Sequence, residues 1–317
     1  MLCGTRAGTA EAAGADQVSA RAVPARLRHS AALLAAGLLT VLALPGMADE
    51  ASRVHGLWVW KGPALLAAPQ GAQRLGDFCR SQDINEVYVS ILSAGQLADA
   101  AAVAQLIREL HGVHVRVEAL LSSTDADQAG KHRDKLLEHV RSIIQFDQAH
   151  PQERFDGIHL DIEPQQRAEN KGAGNLQFLP GLAAAYAAVR ALATPAALSV
   201  NADIQNKLLK GSAAERRLLL TALPRLTLML YELSGPSDGT NSEQQAQKLR
   251  AASEQYLQMA YAQLTGADLA TLVIGLRTPD YGAQLPQMLQ VVDAANRGDR
   301  HYAGWARHSY NDTLTER

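Results

Sequence analysis

From residue 54 onward, eight short runs of β-type residues alternate with Ala-, Leu- and Gln-rich segments of helical spacing, and this alternation constrains the fold more than any other feature. The strands are expected at Val54–Trp60, Glu86–Leu92, Val113–Leu120, Gly157–Glu163, Leu198–Asp203, Leu226–Tyr231, Leu272–Leu276 and Tyr302–Trp305, with helices such as Leu97–Leu110, Lys131–Phe146, Leu182–Leu192, Ser242–Leu264 and Ala283–Ala295 between them. A helix between two strands carries the chain back to start the next strand in the same direction, so such a series builds a parallel sheet. Eight such units in about 260 residues fit a single (β/α)8 TIM barrel in number and size, an α/β fold. An open doubly wound sheet is the alternative. It calls for a glycine-rich phosphate turn after an early strand, whereas Val54–Trp60 is followed by Lys61-Gly62-Pro63. The last strand ends twelve residues before the C-terminus, so the eighth helix is expected to be short or missing.

Charge and cysteine content narrow the function classes. The formal net charge of the 317 residues is −2 and no Lys/Arg block stands out, which argues against a nucleic-acid partner, because phosphate binding needs a concentrated basic face. Cys3 and Cys79 lack metal-ligand spacing and make no disulfide framework; Cys79 reads as a small buried hydrophobe. Residues 31–44, AALLAAGLLTVLAL, follow Arg26, Arg28 and His29 and precede Pro45-Gly46-Met47-Ala48, the pattern of a secretory signal. A helix of that run is about 21 Å long, short of a bilayer core, so stable membrane insertion after removal of the signal is not expected. The chain therefore divides into an N-terminal extension and signal, 1–48, and a barrel, 49–317, destined for export to a periplasmic or secreted location.

In a barrel of this kind chemistry sits at the carboxyl ends of the strands, and polar residues do collect there. Strand four, FDGIHLDIEP over 155–164, alternates so that Ile158, Leu160 and Ile162 face the helices while His159, Asp161 and Glu163 share the inner face. Three ionisable groups in a row inside a barrel are costly without partners or a purpose. Asp161 and Glu163 are about 6–7 Å apart by strand rise. Like charge and partial burial would raise the pKa of Glu163, and a carboxyl kept protonated near neutral pH can donate to a leaving oxygen. A buried polar network that fixes the barrel interior is the non-catalytic alternative.

Asp156-Gly157-Ile158-His159-Leu160-Asp161-Ile162-Glu163 resembles the fourth-strand signature D-G-x-D-x-D-x-E of the family 18 glycoside hydrolases, the chitinase-like barrels. The resemblance implies that Glu163 is the general acid and that Asp161 orients the substrate's 2-acetamido group. His159 replaces the first inner aspartate of the pattern. Met229-Leu230-Tyr231-Glu232 is similar to the sixth-strand M-x-Y-[DN] element, which places Tyr231 on the acetamido group, with Glu232 in place of Asp or Asn. Trp305 falls where the family has the tryptophan that floors the sugar subsite. Leu121-Ser122-Ser123 lacks the third-strand S-x-G-G pattern. The likeness spans the barrel, 53 to about 310, and points to a divergent relative of the family.

Several residues carry a bland reading beside the functional one. Trp60, with Trp58 on the same face of strand one, is a candidate sugar platform or a core residue. Arg116 and Glu118 share the inner face of strand three and are expected to pair with each other; otherwise Glu118 borders the site. Asp203 and Asn201 could bind sugar hydroxyls or belong to an interior network. His159, His301 and His308 could in principle converge, but no pair has the helical i, i+4 metal spacing, so neither a metal nor a cofactor is expected.

The expectation is an exported, retaining glycosidase acting on an oligo- or polysaccharide that contains 2-acetamido sugars. Glu163, Asp161 and Tyr231 would be catalytic, and Trp305, Trp60, His159, Asp203, Glu232, Met229 and Glu118 would line the substrate site. The alternatives are a lectin-like barrel that binds glycan without cleaving it, a glycosidase of another barrel family pairing Glu163 with Glu232 or Asp203, and an assembly partner in the cell envelope. Fold analogy is weak evidence for any one substrate, because one barrel hosts many reactions.

Overall fold

The structure, a computed structural model, describes residues 53–315 apart from 94, 173–174, 232, 234–241 and 267. The export segment expected over 1–48 and the residue Glu232 lie outside the described residues. Eight parallel strands form a closed barrel: β1 (Val54–Val59), β2 (Glu86–Val89), β3 (Arg116–Ser123), β4 (Gly157–Ile162), β5 (Ser199–Gln205), β6 (Arg225–Met229), β7 (Thr271–Arg277) and β8 (Tyr302–His308). Each strand pairs with its sequence neighbour, and β1 closes the ring against β8 with Val54 opposite Gly304. A two-stranded hairpin, Leu92–Ser93 with Gln96–Leu97, is appended after β2.

The helices α1 (Gly62–Ala67), α2 (Gly71–Ser81), α3 (Ala100–His111), α4 (Lys131–Ala149), α5 (Leu179–Ala193), α6 (Ala213–Leu220), α7 (Ser242–Tyr261), α8 (Thr278–Tyr281), α9 (Leu285–Asn296) and α10 (Tyr310–Thr315) follow the strands. Local chemistry fixes several starts. The Asp99 carboxylate accepts from the Ala101 and Ala102 amides at the head of α3, and Ser212 with Glu215 forms a reciprocal cap on α6. The last described helix spans Tyr310–Thr315. Asn311 on it accepts from the backbone amides of Trp60 and Lys61 at 3.0 and 3.2 Å, tying the chain end to the mouth of β1. Among the described residues no helix is long and apolar enough to cross a membrane.

Strand alternation sorts the core into two parts. Leu57, Val87, Val117, Ile158, Leu160, Val200, Leu226 and Ile274 point outward and pack under the helices. Val54, Trp58, Tyr88, Leu120, Val273 and Ala306 fill the barrel interior. Two glycines make room for the rings: a Cβ on Gly275 would lie 2.8 Å from the Trp58 ring, and one on Gly56 would lie 2.6 Å from the Tyr88 hydroxyl. Cys79 is fully buried in the outer core, and burial pushes its thiol up to about 12.

Three strands are displaced from their expected bounds in ways that matter for the site. β5 runs two residues past Asp203 to Gln205. β3 starts three residues late because Val113 and His114 close α3, with His114 at φ 62°, and it therefore runs on to Ser123. β8 continues past Trp305 to His308. Its carboxyl end thus presents His308 rather than Trp305.

Candidate active site

A polar network runs up the inside of the barrel. Arg225 on β6 donates to Glu86 at 2.6 Å and to Glu118 at 3.1 Å. Glu118 also accepts from Asn201 at 2.6 Å, and its other oxygen meets His159 Nδ1 at 3.2 Å. His159 Nε2 lies 2.8 Å from Asp203 Oδ1, while the Trp58 indole N–H donates to Asp203 Oδ2 at 2.9 Å. Both ring nitrogens of His159 face carboxylate oxygens, so both carry protons. Burial opposes that charge, but Asp203 and Glu118 outweigh it and raise the ring to about 9. The imidazolium stacks on Tyr88 with centroids 3.7 Å apart. Burial pushes Glu118 up, yet the His159 hydrogen bond and Arg225 bring it below its ordinary value.

This network corrects one expected pairing. Arg116 does not pair with Glu118; it reaches Glu86 at 3.3 Å and Asp156 at 3.9 Å, because β3 begins at Arg116 and leaves that side chain at the rim. Glu118, fully buried with its oxygens taken, does not border the mouth. Asp203 is likewise committed, one oxygen to Trp58 and one to His159.

Above this layer stand Asp161 and Glu163. Asp161 is 9% exposed, and its Oδ1 is buried without a hydrogen-bond partner. Burial, then the negative charges of Asp203 and Glu163, push its carboxyl well above the ordinary range, and His159 only partly opposes them. Glu163 is half-buried. It accepts from Gln205 at 2.6 Å and Gln165 at 3.1 Å through Oε1, and from Gln166 through Oε2. Burial raises its pKa, the Gln205 hydrogen bond pulls it down, Asp203 pushes it up, and the net direction is upward. Tyr231 follows β6 after Leu230 bonds back to Gly275, and its hydroxyl is enclosed with no hydrogen-bond partner among the described residues. Arg277 lies over its ring, 5.4 Å from the centroid.

Of the aromatic candidates, Trp60 reaches the mouth and Trp305 does not. Trp305 points out of the barrel into the helix layer, where it stacks on His55 at 4.3 Å between centroids. Trp305 takes the outward turn of the strand alternation beside the inward Ala306, so the structure does not bring it into the mouth, and β8 carries His308 to the rim. The His308 ring lies 5.7 Å from both Trp58 and Tyr231, and its Nε2 accepts from the Trp60 indole N–H at 2.8 Å. Burial lowers its pKa, so it stays neutral. Met229, opposite Gln205 in the β5–β6 register, is buried beneath the mouth.

The structure thus brings Glu163, Asp161, Tyr231, Asp203, His159 and Trp60 to one end of one barrel, joined by Gln205, Arg277 and His308. Sequence reasoning missed Gln205 because strand five is expected to stop at Asp203, two residues short; Gln205 keeps the inward period of Asn201 and Asp203, and that signal would have found it. Among the described residues no cluster of His, Cys, Asp and Glu has a metal-holding arrangement.

Neither a protein-family model nor a curated protein matches this sequence. Solved structures do match in shape. The PgaB (BpsB) glycoside hydrolase domain from Bordetella bronchiseptica is 9% identical with a TM-score of 0.50, over 83% of this chain and 96% of that one. The Bacillus cereus spore cortex-lytic enzyme SleL is 8% identical with a TM-score of 0.51, over 81% and 70% of the two chains. A GH5_18 protein from Bifidobacterium longum subsp. longum, solved with Manβ1-4GlcNAc, is 10% identical with a TM-score of 0.57, over 81% and 69%. At such identities the likeness establishes the architecture: this chain is a closed (β/α)8 barrel of the shape those three structures share.

Proposed function

We propose that this chain is an exported glycoside hydrolase cleaving a polysaccharide that contains 2-acetamido sugars, with Glu163 as general acid and base and Asp161 and Tyr231 assisting. The observation that carries the reading is a pair of enclosed polar atoms with no partner among the described residues, Asp161 Oδ1 and the Tyr231 hydroxyl, beside a carboxyl raised in pKa at the carboxyl end of the barrel. Buried polar atoms are mostly satisfied, so orphans near Glu163 are places that a ligand's own polar groups would complete. Shape similarity to a glycoside hydrolase domain, a cortex-lytic enzyme and a protein solved with a GlcNAc-containing disaccharide supports the same class.

In this mechanism Glu163 gives its proton to the glycosidic oxygen as the C1–O bond breaks. The acetamido carbonyl oxygen of the substrate bonds to C1, Asp161 as a carboxylate accepts a hydrogen bond from the acetamido N–H, and Tyr231 steadies the carbonyl. Glu163, now a carboxylate, then takes a proton from the water that opens the ring intermediate, and configuration is retained. Trp60 provides an aromatic wall at the mouth. An ordinary two-carboxylate route through Asp203 is disfavoured, since Trp58 and His159 hold both of its oxygens.

The test compares the purified protein with Glu163→Gln on acetamido and non-acetamido glycans, with products identified by mass spectrometry. Cleavage confined to acetamido polymers and abolished in the variant is the expected result. Cleavage of non-acetamido glycans would overturn the substrate-assisted route, and glycan binding without turnover by both proteins would overturn the enzyme reading.

A further inference from the structure

The glutamines around Glu163 have no part in the mechanism above. Gln205 at the end of β5, Gln165 and Gln166 all turn amide N–H groups toward the Glu163 oxygens. Asp161, one strand alternation away, receives no such donor on Oδ1. Beneath both lies Asp203, whose two oxygens accept from the Trp58 indole N–H and the His159 imidazolium. Amide donors stabilise a carboxylate, while an enclosed oxygen without donors favours the protonated acid.

We propose that Gln205, with Gln165 and Gln166, holds Glu163 as a carboxylate in the substrate-free protein, and that the single proton of the Asp161–Glu163 pair rests on Asp161 until a sugar enters. This rests on the reading of the two carboxyls as the reacting pair. Turnover then requires one internal transfer: Asp161 loses its O–H proton and becomes the carboxylate, and Glu163 gains a proton and becomes the acid. No net proton is taken up. Glutamine suits the position because its amide carries both a donor and an acceptor. Turned over, Gln205 presents its Oε1 to the new Glu163 O–H, so the same side chain serves both states. Gln205 is a positioning residue, acting through Glu163.

Other charges among the described residues also face the pair. Asp203 raises both carboxyls, His159 lowers Asp161, and Lys207, beyond the end of β5, lowers Glu163. Arg277 on β7 and the neutral His308 on β8 face Tyr231. None supplies Asp161 with a hydrogen bond.

The test is carboxyl 13C NMR on the full chain labelled at Asp Cγ and Glu Cδ, with the two resonances assigned by their loss in Asp161→Asn and Glu163→Gln. At pH 7 the expected result is an ionised Glu163 shift and a protonated Asp161 shift. A protonated Glu163 beside an ionised Asp161 would overturn the proposal, as would two ionised carboxyls. In Gln205→Leu the Glu163 titration is expected to move up by about one pH unit or more, the size of one lost hydrogen bond to a charged group. An unmoved titration in a variant with wild-type thermal melting would remove Gln205 from the role. These readings do not depend on turnover, so an inactive protein would sink the proposed function while leaving the proton's location to be read.

Discussion

Raising the pH from 6 to 10 should destabilise the barrel through His159 alone by a predictable amount. Burial disfavours charge on this ring, yet Asp203 and Glu118 hold its pKa at about 9 against an ordinary 6.5. The folded state thus binds the proton more tightly than the unfolded chain does. That stabilisation is complete below the unfolded value, fades as pH rises above about 6.5, and is gone once pH passes about 9. At about 1.4 kcal/mol per pKa unit it amounts to some 3 kcal/mol, within the range for a buried ion pair. In urea, with m of roughly 3 kcal/mol/M, the midpoint should fall by about 1 M between pH 6 and 10. Asp161 contributes a slope of the same sign, because its raised carboxyl also favours the protonated folded state as pH rises from the ordinary carboxylate range. Glu118→Gln separates the two. It removes one of the groups holding the His159 proton, while Glu118 is no cause of the Asp161 shift. In that variant the His159 window should move toward pH 6.5. A midpoint flat from pH 6.5 to 9.5, or a fall at unchanged pH in Glu118→Gln, would refute the imidazolium bridge.

Three further outcomes are expected. Tyr231→Phe removes the enclosed hydroxyl and should lower kcat on an acetamido substrate by on the order of 10²-fold with little change in urea midpoint, the loss typical of one transition-state hydrogen-bond donor; steady-state kinetics with denaturation checks both. Gly275→Ala places a methyl 2.8 Å from the Trp58 ring, between strands that cannot part, and should cost about 1–3 kcal/mol by chemical denaturation. Cys79, fully buried with its thiol raised to about 12, should react with a thiol reagent only at the rate of unfolding, so labelling in native buffer and in urea should differ by orders of magnitude.

The alternation of strand-like and helix-like segments was sufficient to specify the barrel, because a parallel strand series with helical crossovers has few ways to close. It also specified which residues of strand four face inward, since the side-chain period of two is a local property of an extended chain. Asp161 and Glu163 were therefore legible as neighbours on one inner face. Partner choice was not legible. Glu118 stands two residues from Arg116 on its own strand, yet it bonds to Arg225, 107 residues away, and to His159 across the β3–β4 pair. The shear of the closed barrel, rather than sequence distance, sets which inner side chains share a level. Strand ends were equally hidden. β8 runs to His308 because its ladder with β7 continues through Arg277, a pairing no single segment encodes. Those three extra residues carry His308 to the rim, while Trp305, next to the inward Ala306, faces the helices. The sequence alone determined the barrel and the carboxyl pair on strand four; the tertiary structure decided which groups hold their protons, because that depends on neighbours brought together only when the ring of strands closes.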